Sequence, residues 1–193
     1  MKKLLFIVSI LFCANSYSQN EINWDGKYQL KISDFQSSST KVGDLKVNSF
    51  MIVIGADLNF GMSNIEFMFT KNFNSKINNS FKRQSSSIIA VDDQNAQAMV
   101  NLAQYGFDLS ELYARKLRKK IFEEKRTLSD VSFLKPLYNE NQKELNELIS
   151  KTSNETNLGN EKDKLEKLHE QVLKEIEGLS DFCKDCKTPK KIK

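Results

Sequence analysis

The hydrophobic period changes near residue 92, and that change limits the folds open to this chain. Before it, apolar residues alternate with polar ones. Lys27-Tyr-Gln-Leu-Lys-Ile-Ser33 places Tyr28, Leu30 and Ile32 on one side, the two-residue period of a half-buried strand. Leu45 to Phe60 is rich in β-branched and aromatic residues, with Gly55 marking a bulge or bend, and Gly61-Met-Ser-Asn64 supplies a turn before an expected strand at Ile65–Phe69. Ile77–Arg83 and Ser87–Val91 are weaker strand candidates. After residue 92 the spacing becomes helical. Asp92 or Asp93 caps a long helix carrying Met99, Leu102, Gly106, Leu109, Tyr113, Leu117 and Phe122 on one face. A second helix starts after Ser129-Asp130, with a kink or restart at Pro136, and Asn157-Leu-Gly-Asn160 breaks it. A third, Glu161 to Gly178, turns Leu165, Leu168, Val172, Leu173 and Ile176 inward. Strands first and helices after predict an α+β fold: an N-terminal antiparallel sheet followed by about three helices.

The start of the chain reads as an export signal. Lys2 and Lys3 precede a ten-residue apolar run, Leu4–Cys13, too short for a permanent span, which needs about 20 residues. Small residues at Ser16 and Ser18 suit cleavage after Ser18. Cys13 is a poor lipidation site, because bulky Phe12 occupies the position where that processing wants a small side chain. The expected organisation is a signal peptide over 1–18, one domain over 19–182 and a Cys/Lys-rich tail over 183–193. The expected location is the periplasm or the extracellular space.

Without Lys2 and Lys3 the formal charge falls from +4 to +2, which gives no electrostatic case for nucleic acid. No later segment is long and apolar enough for stable membrane insertion. Glycine and proline are sparse, at 7 and 2, and no phosphate-binding loop, G-x-S-x-G elbow or convincing pair of glycosidase carboxylates occurs. The single histidine, His169, excludes any zinc site that needs two imidazoles on one helix. Its position in the third helix reads as partly exposed.

The stretch Leu102-Ala-Gln-Tyr-Gly106-Phe-Asp-Leu-Ser-Glu111-Leu-Tyr-Ala-Arg115-Lys-Leu-Arg118 resembles the core helix of a family of secreted bacterial zinc-peptidase-like proteins, domain of unknown function 922. The family pattern is H-E-Q-x-H-F-D-[IL]-x-E-[LI]-[YF]-A-R-K-L-R. Phe107, Asp108, Glu111 and Arg115 match it, as does the rest of Phe107–Arg118. The metal-binding half does not match. Leu102 and Gly106 stand where the pattern has its histidines, and Ala103 stands where it has the general-base glutamate. Histidines four residues apart share a helix face and can hold Zn²⁺ while the glutamate polarises bound water; leucine, glycine and alanine can do neither. Leu30-Lys-Ile-Ser-Asp34-Phe35 is similar to an early L-x-W-x-D-F element, and Ser80-Phe81-Lys82 to a later strand. Glu155-Thr-Asn-Leu158-Gly159 is similar to E-T-x-H-G, with Leu158 in place of a third ligand.

The resemblance spans about Trp24 to Leu179. It implies a zincin-like core helix without catalytic residues, metal or cofactor, in a pseudoenzyme that binds a peptide or an envelope protein through an apolar cleft around Leu102 and Gly106. Read without the resemblance, Asp108, Glu111 and Arg115 form a surface ion-pair row. Two other activities remain open. One is a hydrolase with an oxygen-liganded metal at Asp108, Glu111 and Tyr113. The other is a thiol protein using Cys183-Lys-Asp-Cys186, a pair that reads first as a structural disulfide capping the last helix, with free or metal-binding thiols as the alternative. Oligomeric state is not legible.

Overall fold

A computed structural model describes residues 20–58, 61–126 and 129–189. The expected signal peptide, 1–18, lies outside the described residues, as do residues 190–193 of the tail. The strands are β1 (Glu21–Asn23), β2 (Lys41–Val42), β3 (Ser49–Met51), β4 (Ile54–Leu58), β5 (Ile77–Lys82) and β6 (Ser87–Ala90). A short helix, α1 (Asn64–Phe69), interrupts them. Three long helices follow: α2 (Asp93–Glu124), α3 (Leu134–Glu155) and α4 (Lys162–Gly178). The fold is α+β.

The strands make two small sheets rather than one. In the first, β5 lies between β1 and β4, antiparallel to both, with Phe81 opposite Ile22 on one side and Ile54 on the other. In the second, β6 pairs antiparallel with β3 and parallel with β2. The segment 49–58 therefore serves both sheets, and it changes sheet at Ile52-Val53. Its backbone there is held by Ser86 Oγ, which accepts from Val53 N at 3.0 Å, and by Lys82 N, which donates to Val53 O at 2.8 Å.

Two expected strands are absent. Residues 27–33 form no ladder, because their backbone donors go to side chains: Lys31 N to Asp34 Oδ2 and Leu30 N to Gln104 Oε1, both at 2.8 Å. A 3₁₀ turn at Ile32–Asp34 follows. Residues 65–69 are helical, since Ser63 Oγ accepts from Glu66 N and caps α1. Phe67 faces inward, while Ile65 and Phe69 are 70% and 77% exposed.

Asp92 caps α2 through Asn95 N at 2.8 Å. Of the 32 residues of α2, 21 are buried, so the helix is buried around most of its circumference rather than along one stripe. One side packs with Phe35, Phe81 and Ile88, another with Leu145, Leu165 and Val172, and its C-terminal half with Phe67, Ile77 and Leu134. Pro136 sits in the first turn of α3, where no intrahelical donor is lost, so the helix starts there without a kink. Asn157, Leu158 and Gly159 all have positive φ and turn the chain from α3 into α4. On α4, Leu165, Val172 and Ile176 are buried, whereas Leu173, expected inward, is 42% exposed, because it lies a further 100° around the helix from Val172.

Candidate functional site

Three of the four degenerate motif positions lie in the interior of α2. Leu102, Ala103 and Gly106 are buried, so among the described residues Leu102 and Gly106 face packed side chains rather than the open apolar cleft expected there. A Cβ on Gly106 would stand 3.0 Å from Ile52 Cδ1 and 3.4 Å from Ile54 Cδ1, so the strand side chains occupy the space in front of it. Leu158 packs against the cluster that contains Ala103 and Phe107. Gly159 follows with φ of +89°, and a Cβ there would overlap the carbonyl oxygen of Ala98 and approach Leu102. Ala103, Gly106 and Leu158 thus meet one apolar cluster, and Leu102 belongs to the adjoining one with Tyr105, Leu145 and Leu165.

The matching half of the motif is also interior. Asp108, Glu111 and Arg115 are 5%, 2% and 7% exposed, which corrects the reading of a surface ion-pair row. Glu111 Oε1 accepts from Arg115 Nε at 3.0 Å and from Arg118 Nη1 at 2.8 Å. The guanidiniums are satisfied further by main-chain carbonyls: Ile176 O takes Arg115 Nη1, Phe182 O takes Arg118 Nη1, and Ile77 O takes Arg118 Nη2. One carboxylate and two cations thereby join α2, β5 and the segment after α4.

Asp108, one turn earlier, has different partners. Its Oδ1 accepts from Trp24 Nε1 at 2.7 Å, and its Oδ2 from Gln104 Nε2 at 2.9 Å. His169 Nε2 lies 2.8 Å from the same Oδ2. The His169 side chain is 24% exposed, and its ring meets Tyr105 edge-on at 6.0 Å. Partial exposure was legible in the sequence; the carboxylate partner 61 residues away was not. A signal existed, because His169 shares the inward stripe of Leu165, Val172 and Ile176.

Tyr113 lies apart from both carboxylates, beside Glu144, Glu147 and Lys151, with Lys116 Nζ over its ring at 4.9 Å. Burial pushes its phenol above the ordinary value, as it does that of Tyr105. Asp108, Glu111 and Tyr113 therefore occupy three separate settings. Among the described residues, no three His, Cys, Asp or Glu side chains gather where they could hold a metal ion.

The concave feature next to Asp108 is a groove of about 530 Å³ between α2 and α4. Gln97, Asn101 and Gln104, at helical spacing, form one wall; Lys162, Glu166 and His169 form the other; Gln29 closes an end. Gln97 Nε2 donates to Asn101 Oδ1 at 3.0 Å, and Gln104 is fixed at both ends, by Leu30 N and by Asp108. Leu30, Val100 and Leu165 supply an apolar floor. Such a site offers both donors and acceptors of amide type over an apolar base. The expectation at Leu102 and Gly106 thus fell one helix face away from the open space.

Cys183 and Cys186 are joined by a disulfide. The loop they close is held rather than frayed: Cys186 O accepts from Asn72 Nδ2 and Asn74 Nδ2, both at 3.0 Å, and Lys184 Nζ donates to Asn78 Oδ1 at 2.8 Å. Among the described residues no helix is long and apolar enough to cross a membrane. No family model, no curated protein and no solved structure matches this chain.

Proposed function

We propose that the chain is a secreted, non-catalytic relative of the zinc-peptidase-like family it resembles, and that it binds an extended peptide segment, from a free peptide or an envelope protein, in the α2–α4 groove. One observation carries this reading. The positions where the family pattern has ligands and base are filled with packed aliphatic side chains, while the adjacent helix face opens on a groove walled by carboxamides. An extended peptide exposes N–H and C=O groups in alternation, and Gln29, Gln97, Asn101 and Gln104 can pair with both. Lys162 and Glu166 add one charge of each sign at the wall. His169 with Asp108 has the form of an acid–base dyad, but the described lining of the groove holds no serine, threonine or cysteine for it to activate. Its role in this reading is to present a ring nitrogen to the ligand.

The test is binding of a random peptide library to the exported protein, with zinc content measured after dialysis against a zinc-containing buffer. Peptides should be retained, with affinity falling about tenfold in an Asn101→Ala/Gln97→Ala variant, roughly the loss of one or two good hydrogen bonds. Bound zinc should stay below about a tenth of an equivalent, far from the one per chain of an intact site. Stoichiometric zinc that survives Cys183→Ser/Cys186→Ser would overturn the reading and favour the metallohydrolase.

A further inference from the structure

The charges around Glu111 do not balance. One carboxylate faces two guanidiniums, and none of the three residues is more than 7% exposed, so the interior beside β5 holds an excess of one positive charge. An uncompensated buried charge is costly. The guanidiniums also keep donors in reserve. Arg118 Nε is buried without an acceptor among the described residues. Arg115 gives Nε to Glu111 and Nη1 to the carbonyls of Ile176 and Leu179, while its Nη2 meets no acceptor among the described residues.

These three side chains line a cavity of about 320 Å³. That is the lower end of the range that holds small ligands, roughly 300–1,000 Å³. Trp24 forms one wall, with Arg115 Cζ over its ring at 5.4 Å from the centroid. The solvent-exposed part of the lining carries the opposite sign. Asp25 and Asp185 are exposed there, and the one cation beside them, half-buried Lys184, gives its Nζ to Asn78 Oδ1 at 2.8 Å. Both carboxylates sit on fixed backbone. Asp25 Oδ1 accepts from Lys27 N and Tyr28 N, each at 2.8 Å, and Asp185 lies in the disulfide loop that Asn72 and Asn74 hold at Cys186 O. The cavity shares no lining residue with the α2–α4 groove, so it stands apart from the peptide-binding reading.

From this distribution of charge we infer that the cavity binds a small zwitterion, a free α-amino acid. Its carboxylate meets Arg115 and Arg118, whose planar forks suit two oxygens, and its ammonium meets Asp25 and Asp185. A simple oxyanion would answer the guanidiniums but leave the outer carboxylates opposed to it. A lone organic cation would answer the outer carboxylates and meet two guanidiniums within. For a metal ion, no three His, Cys, Asp or Glu side chains gather among the described residues.

The experiment is titration of the protein, disulfide intact, with each common L-amino acid, read by calorimetry and by the fluorescence of Trp24, the one tryptophan in the chain. The controls are the primary amide of each ligand, which lacks the carboxylate, and the acid that lacks the amino group. At least one amino acid should bind at one site per chain, about tenfold or more tightly than either control, the loss expected for one charged hydrogen-bonding group. Asp25→Asn/Asp185→Asn should weaken the amino acid by a similar factor and leave the deaminated acid no weaker. Both residues are exposed, and asparagine keeps the oxygen that Lys27 N and Tyr28 N need, so melting temperature should not move. Asn101→Ala/Gln97→Ala in the other groove should leave amino-acid binding unchanged. No binding by the parent, the deaminated acid binding as tightly as the amino acid, full affinity in Asp25→Asn/Asp185→Asn, or loss of binding in Asn101→Ala/Gln97→Ala would each overturn the inference.

Discussion

Asp108 and Glu111 lie three residues apart on one helix, both nearly out of water, yet they are neutralised in different ways. Glu111 is clamped by two guanidiniums that also donate to main-chain carbonyls, although Arg118 Nε is left buried without an acceptor among the described residues. That cluster ties α2 to β5 and to the segment after α4, so it acts as an internal staple. Asp108 takes hydrogen bonds from an indole and a carboxamide and pairs with an imidazole that lines an open groove. Burial is shared by the two carboxylates; the partners of Asp108 line the α2–α4 groove, whereas Glu111, Arg115 and Arg118 line a smaller cavity of about 320 Å³ beside Trp24 and Cys183. A match to a motif therefore does not distinguish a residue that builds the site from one that builds the fold. The partners decide.

The largest effect expected from this comparison follows Glu111→Ala. It leaves two buried guanidiniums facing an uncharged side chain and should cost about 3–5 kcal/mol in chemical denaturation. Arg118→Met should cost a similar amount, and the double variant should lose less than the sum. A loss below about 1 kcal/mol would erase the distinction, since exposed pairs give values of that size. Next comes Gly159→Ala at the groove's turn. Positive φ and collision with the fixed Ala98 carbonyl should cost about 2–3 kcal/mol. Gly106→Ala should stay within about 1 kcal/mol of the parent, because it meets only the tips of Ile52 and Ile54 and gains helix propensity. Asp108→Asn should cost about 1–2 kcal/mol. His169→Ala should cost about 1 kcal/mol or less, since its pairing is partly solvated. Both should reduce peptide binding in calorimetry, whereas Glu111→Ala, where still folded, should not. The smallest effect is a pH dependence. Burial raises the Tyr105 phenol above its ordinary 10.0, so the unfolded chain ionises first. Stability that is complete below pH 10 should therefore decline as pH rises toward the folded value, and ultraviolet tyrosinate absorbance should show at least one tyrosine titrating late.

Elements specified by neighbouring residues were legible. Asp92 and the helical spacing after it define the start of α2, and Asn157 to Gly159 define the break before α4. The segment 27–33 was not, because its strand-like alternation is overruled by acceptors on Asp34 and on Gln104, the latter 74 residues away. Helix α1 was missed for another reason. In so short a piece, residues 65, 67 and 69 fit a strand as well as a helix, and the Ser63 cap decides between them. Of the site, residue types alone showed that Leu102, Ala103 and Gly106 offer no metal ligand and no base. The location of the open groove could not, since it depends on which side chains of strands and turns fill the space before each face of α2. Ile52 and Ile54 fill one; Gln29, Lys162 and Glu166 leave the other open.

The acceptors for Arg115 and Arg118 also set an order of assembly. Arg115 and Arg118 give hydrogen bonds to the carbonyls of Ile176 and Phe182, more than sixty residues later, and Asn74 reaches the carbonyls of Asp181 and Cys186 more than a hundred residues on. While the chain is being synthesised from its N-terminus, these donors lack those acceptors until the segment 176–186 has emerged. A nascent chain lacking them would have to bury two under-satisfied guanidiniums in order to close its core, so closure of the core around α2 waits for the segment after α4.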